Sequence, residues 1–186
     1  MAILNEYNDQ NKYTIHLMIT NKCNRKCPDC CNNQYDVNDI PVVTDEELKQ
    51  AKDIFLTGGE PFAYAHPNEM ANILKIVYEN INRVFVYTNA CELVEYINNG
   101  GKLDHIDGLT ISIKNSIDKE VFEKYIAYNE DVYNNKCNRV YLFEGFEDTN
   151  VPYYFDTYNR KWQKEFVAAP YSIFRRNATF AEDGRF

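Results

Sequence analysis

Three cysteines, Cys23, Cys27 and Cys30, stand at a C-x3-C-x2-C spacing, and Cys31 follows the last of them directly. Thiolates crowded in this way, in a chain otherwise sparse in cysteine, hold a soft metal. Two arrangements suit three thiolates on one loop: an iron–sulfur cluster that keeps one iron free, or a zinc site short of a ligand. Further polar groups interrupt apolar runs downstream: Thr57-Gly58-Gly59-Glu60-Pro61, Thr88-Asn89, Ser112 with Lys114, and Glu144. A scaffold is needed that brings these segments to the cysteines.

Hydrophobic periodicity supplies one. Tyr13–Ile19 reads as a buried first strand, with His16 as a core or edge histidine rather than a ligand. Thr44-Asp45-Glu46-Glu47 has the form of a capping box, so a helix starts near Asp45. Ile54–Leu56 is a second strand, and the glycines and proline after it force a turn. His66-Pro67 opens a helix whose apolar face is Met70, Ile73, Leu74 and Val77. Val84–Tyr87 is a third strand, followed by a helix through Leu93, Val94 and Ile97 that stops at Gly100-Gly101. Leu109–Ile113, a helix over Val121–Tyr128, and Val140–Phe143 complete five strand–helix units. After Asp148 the rhythm fades into aromatic, irregular sequence, with one last strand or helix within Lys164–Phe174.

Strands alternating with helices predict an α/β fold with parallel strands. A complete barrel of eight units takes about 250 residues. The chain has 186. An incomplete, open (β/α) barrel of five to six parallel strands is therefore expected. Residues 1–150 form its core, and residues 151–186 an extension that covers the open side or meets substrate. Ligands of parallel α/β folds sit at the carboxyl ends of the strands. Each polar motif named above falls at such an end.

Composition narrows the setting. Hydrophobic residues make up 45% and charged residues 26%, enough for one core and its cover. The formal net charge of -8 weighs against a protein that grips nucleic acid through its phosphates. No stretch reaches the roughly 18 apolar residues of a membrane span, and MAILNEYNDQNK lacks a secretory pattern. A cytoplasmic location is expected, where reduced thiols favour metal over disulfide.

The order C-x3-C-x2-C after the first strand, G-G-E-P after the second, H-P opening the next helix and T-N after the third strand resembles the radical S-adenosylmethionine enzymes, over about Thr14–Phe143. The resemblance implies a [4Fe–4S] cluster held by Cys23, Cys27 and Cys30, with S-adenosylmethionine on the open iron. Reductive cleavage of the sulfonium then yields a 5′-deoxyadenosyl radical that takes hydrogen from a substrate. It also implies a flavodoxin or ferredoxin type of reducing partner. Gly58 and Gly59 would let backbone approach the methionine ammonium, and Glu60 would add negative charge there. Thr88, Asn89 and Ser112 would meet ribose or methionine, and Lys114 a carboxylate or a substrate anion.

The chain also departs from that pattern. Asp29 stands where an aromatic residue near the adenine is common, so the base would be met by Tyr35, by Phe143 or by backbone contacts. Lys22, rather than glycine, precedes the first cluster cysteine. Glycyl-radical activases, such as the one for anaerobic ribonucleotide reductase, and deazaguanine synthases usually carry glycine there; both fit the chain's size and stay as alternatives. The chain looks more like members acting on peptides, proteins or small metabolites. A basic and aromatic tail carries Arg160, Lys161, Lys164, Arg175 and Arg176 among Tyr153, Tyr154, Tyr158, Trp162 and Phe166. It would grip an acidic group or pack over the barrel. The reading from a different class is a non-catalytic zinc or iron–sulfur module.

Overall fold

The computed structural model describes residues 13–34, 36–63, 74–80, 82–134, 136–164, 170–178 and 180. Seven parallel strands form one sheet in the order β6-β5-β4-β3-β2-β1-β7. The strands are β1 (Thr14–Thr20), β2 (Asp53–Gly58), β3 (Arg83–Asn89), β4 (Gly108–Ile113), β5 (Arg139–Phe143), β6 (Asp156–Arg160) and β7 (Ser172–Arg176). The first six lie side by side in chain order. The last returns to the far side of β1 and pairs with it from Thr14 opposite Ser172 to Met18 opposite Arg176.

The count is a correction: seven strands, where the sequence predicts five to six. The extra pairing comes from the edges. All five residues of β6 are exposed and all five of β7 are half-buried. An edge strand is held by one ladder and needs no continuous apolar run, so neither carries the signal of a central strand. By contrast β4 is buried throughout.

Alternation along the strands separates two faces. Ile15, Leu17 and Ile19 of β1 join Ile54, Val86 and Ile111 in the main core, which the helices cover with residues such as Leu48, Leu93 and Phe122. The opposite face is aromatic. His16 stacks on Phe174 at 4.8 Å and on Phe55 at 5.3 Å, and Phe55 stacks on Phe85 at 4.7 Å. Burial there lowers His16 to about 4, so its imidazole is neutral at pH 7.

Local signals explain the helices. In α1 (Asp45–Gln50) the Thr44 hydroxyl accepts from the Glu47 main chain at 3.2 Å, and the Glu47 carboxylate accepts from the Thr44 main chain at 3.0 Å. Asn89 caps α2 (Ala90–Asn98) and Asn115 caps α3 (Ser116–Val121). The helix expected over Val121–Tyr128 begins earlier and ends in a π-helical turn, Phe122–Ile126. A short α4 (Glu130–Tyr133) follows it. Residues 74–79 are helical; His66, Pro67, Met70 and Ile73 of the predicted helix lie outside the described residues. Among the described residues no helix is long and apolar enough to cross a membrane.

Candidate functional site

The cysteine loop leaves β1 at its carboxyl end and lies against the end of β2. Two main-chain bonds join them: Gly59 N–H to the Thr20 carbonyl at 2.7 Å, and Glu60 N–H to the Lys22 carbonyl at 2.6 Å. Gly58 turns with φ +118°, in the region that favours glycine. A Cβ on Gly59 would sit 1.9 Å from the Lys22 carbonyl oxygen. The close approach at this glycine is therefore made by the cysteine loop itself. Asn32, just past Cys31, closes the other side by donating to the Gly58 carbonyl at 2.5 Å.

Glu60 is buried and ties β2 to β3. Its carboxylate accepts from the Thr88 hydroxyl at 2.6 Å, the Asn89 main chain at 2.9 Å and the Asn89 side chain at 2.7 Å. Asn89 also donates to Asn24 of the cysteine loop at 2.9 Å. Burial pushes Glu60 up to about 7 despite these donors. Ser112, buried on β4, pairs in register with Asn89. Thus Glu60, Thr88, Asn89 and Ser112, each singled out in the sequence, form one contiguous row.

A second anchor was not legible. Arg25, between Cys23 and Cys27, forms an ion pair with Asp118 of α3, whose side chain is wholly buried. The same guanidinium reaches Cys91 Sγ at 3.0 Å. Asp118 in turn accepts from the Lys114 main chain at 3.3 Å. So the loop is held to β2, to Asn89 at the end of β3 and to Asp118 of α3 at once. The partners are far apart in sequence, and no local pattern joins them.

Cys23, Cys27 and Cys30 are partly exposed, and Cys31 is exposed. Burial pushes the Cys23 thiol up to about 11, and Glu60, Cys27 and Cys30 add to the rise. Burial also raises Cys27, while Lys114 pulls it down. The thiols thus feel one another, and two cations, Lys114 and Arg25, stand near Cys27. Lys114 Nζ lies 5.3 Å from the Phe143 ring and 5.9 Å from the Trp162 ring. Tyr35, the other residue suggested for packing a base, lies outside the described residues, as does Phe166.

No protein-family model matches the chain, and no curated protein matches it. Among the described residues, no three His, Cys, Asp or Glu side chains converge as the ligands of one metal ion do. The donor chemistry nonetheless suits a cluster. Three thiols occupy one braced loop, and a cubane's ligands stand further apart than those of a single ion.

The remaining cysteines lie apart from this set. Cys91 is bound to Arg25, and Cys137 follows Asp107 into the amino end of the sheet through a 2.8 Å main-chain bond. Two of the tail cations are taken up structurally. Arg175 pairs with Glu47 at 2.7 Å, and Arg176 donates to the Ile40 carbonyl at 2.9 Å.

Proposed function

We propose that this chain is a radical S-adenosylmethionine enzyme whose sheet curves as an open barrel around its aromatic face. The observation that carries the reading is the union of the C-x3-C-x2-C loop with the Gly58–Glu60 turn. Two main-chain hydrogen bonds hold them together at the carboxyl ends of adjacent strands.

Cys23, Cys27 and Cys30 would hold a [4Fe–4S] cluster. When bound, that cluster supplies the electron that cleaves the sulfonium of S-adenosylmethionine and sets a carbon radical against the substrate. The protein's own part is placement. Glu60, locked to Thr88 and Asn89, fixes the rim on which methionine and ribose would rest. Ser112 extends that rim by one strand. The Lys114 ammonium, near Cys27, would take the methionine carboxylate. A flavodoxin or ferredoxin would deliver the electron in the cytoplasm.

The test is oxygen-free reconstitution with iron and sulfide, followed by reduction and addition of S-adenosylmethionine. Formation of 5′-deoxyadenosine that requires Cys27 supports the reading. A protein that takes up zinc in place of iron and sulfide, and forms no 5′-deoxyadenosine, overturns it.

A further inference from the structure

On the aromatic face, β5 and β6 carry two arginines that form no ion pair among the described residues. Arg160, on edge strand β6, lies with its guanidinium 4.3 Å from the Tyr141 ring centre and 5.9 Å from that of Tyr158. Arg139 opens β5, two same-face positions before Phe143, the ladder partner of Arg160, and its guanidinium lies 6.0 Å from the Phe85 ring. Both guanidiniums act on the Tyr87 hydroxyl, which burial and then Tyr141 raise and these cations pull back. The two arginines therefore flank one pair of phenols.

Acidic residues outnumber basic ones in this chain. It has 28 Asp and Glu against 20 Lys and Arg. Arg25, Arg83 and Arg175 each meet a carboxylate. Among the described residues neither Arg139 nor Arg160 does. Asp156 is the ladder neighbour of Arg139 but forms no ion pair with it. A guanidinium laid over a ring keeps its N–H fork pointing outward, the geometry that binds a carboxylate or phosphate through two parallel hydrogen bonds.

The patch is also connected to the cysteines. Lys114, an electrostatic neighbour of Cys27, lies over Phe143, and Phe143 is the ladder partner of Arg160. Lys114 is assigned above to the cofactor; the two arginines are left over.

We propose that Arg160 and Arg139, around the Tyr87–Tyr141 pair, bind an anionic group of the substrate, a carboxylate or a phosphate, on the aromatic face of the sheet. The word substrate rests on the function proposed above, whereas the anion site rests on its own geometry.

Trp162, the one tryptophan of the chain, packs on Phe143 at 4.6 Å and reports on the site. The full-length, metal-free protein would be titrated with pyrophosphate and, separately, with phenylacetate at constant ionic strength. A saturable change in Trp162 fluorescence with either probe is expected. Arg160→Gln should weaken it at least ten-fold, while Lys161→Gln, an exposed neighbour, should leave it unchanged. A response to pyrophosphate alone identifies phosphate as the ligand group, and a response to phenylacetate alone identifies carboxylate. Absence of saturation with both probes, or equal affinity in Arg160→Gln, overturns the proposal. So does a loss in Lys161→Gln as large as that in Arg160→Gln. Because no metal is present, this outcome is independent of whether the protein takes up iron.

Discussion

Asn89 gives Glu60 two hydrogen bonds, one from its main chain at 2.9 Å and one from its side chain at 2.7 Å. The pair closes the gap between β2 and β3 beneath the cysteine loop. It also places an acid where water does not reach.

That acid predicts a pH dependence. Burial raises Glu60 from 4.5 to about 7. The folded protein therefore binds a proton that the unfolded chain has released between those values, and stability falls as pH rises through this window. The effect amounts to about 3 kcal/mol. Melting of the metal-free protein from pH 5 to 8 should show the decline, and Glu60→Gln should flatten it. Parallel curves for the two proteins would show that Glu60 does not titrate in this way.

Gly59 should be intolerant of any side chain. Its missing Cβ would overlap the Lys22 carbonyl at 1.9 Å. Gly59→Ala is expected to cost about 3 kcal/mol or more and to lower iron uptake, since the cysteine loop must move. Iron per chain after reconstitution checks this. Normal iron content with weaker S-adenosylmethionine binding alone would mean that the glycine serves the ligand instead.

Much of this site was readable in the chain. The capping box at Thr44, the strand-end placement of Thr88-Asn89 and the turn at Gly58-Gly59 are local signals, set by residue type within a few positions. What held the site together was not local. Arg25 and Asp118 are 93 residues apart, and nothing in either neighbourhood marks the pair. The space beside Gly59 is filled by backbone, which a sequence does not display. β6 escaped, and β7 read equally as a strand or a helix, because an edge strand needs no apolar run. The tail's positive charge looked like one cluster, yet Arg175 and Arg176 are spent on Glu47 and Ile40, and Arg160 is not.

The Arg25–Asp118 pair should matter to the loop more than to the core. Asp118→Asn leaves a guanidinium at a buried site without its counter-charge, at a cost of about 3–5 kcal/mol. Chemical denaturation measures the loss, and the rate of iron release to a chelator should rise in parallel. Replacing Arg25 and Asp118 together by Met and Leu should cost less than the sum of the single changes. Strict additivity would show that the two do not act as a pair.

The four clustered cysteines should divide three to one. Cys31 is exposed and its thiol faces Asn32 at 3.7 Å. Cys31→Ala is expected to keep its iron, and Cys27→Ala to lose most of it. The reverse pattern would take the ligand assignment from Cys27 and give it to Cys31.

Deletion after Asn150 removes both edge strands, including the β1–β7 ladder. The truncated chain should lose its cooperative melting transition, monitored by circular dichroism. A truncate that melts like the intact chain would show that β6 and β7 add nothing to the fold.

The most direct test is the paramagnetic signal of the reconstituted, reduced protein, recorded with and without S-adenosylmethionine. A signal from about four irons per chain that shifts when the sulfonium is added, and does not form in Cys27→Ala, is the expected result. A colourless protein holding zinc, or a signal that S-adenosylmethionine leaves unmoved, would contradict the account.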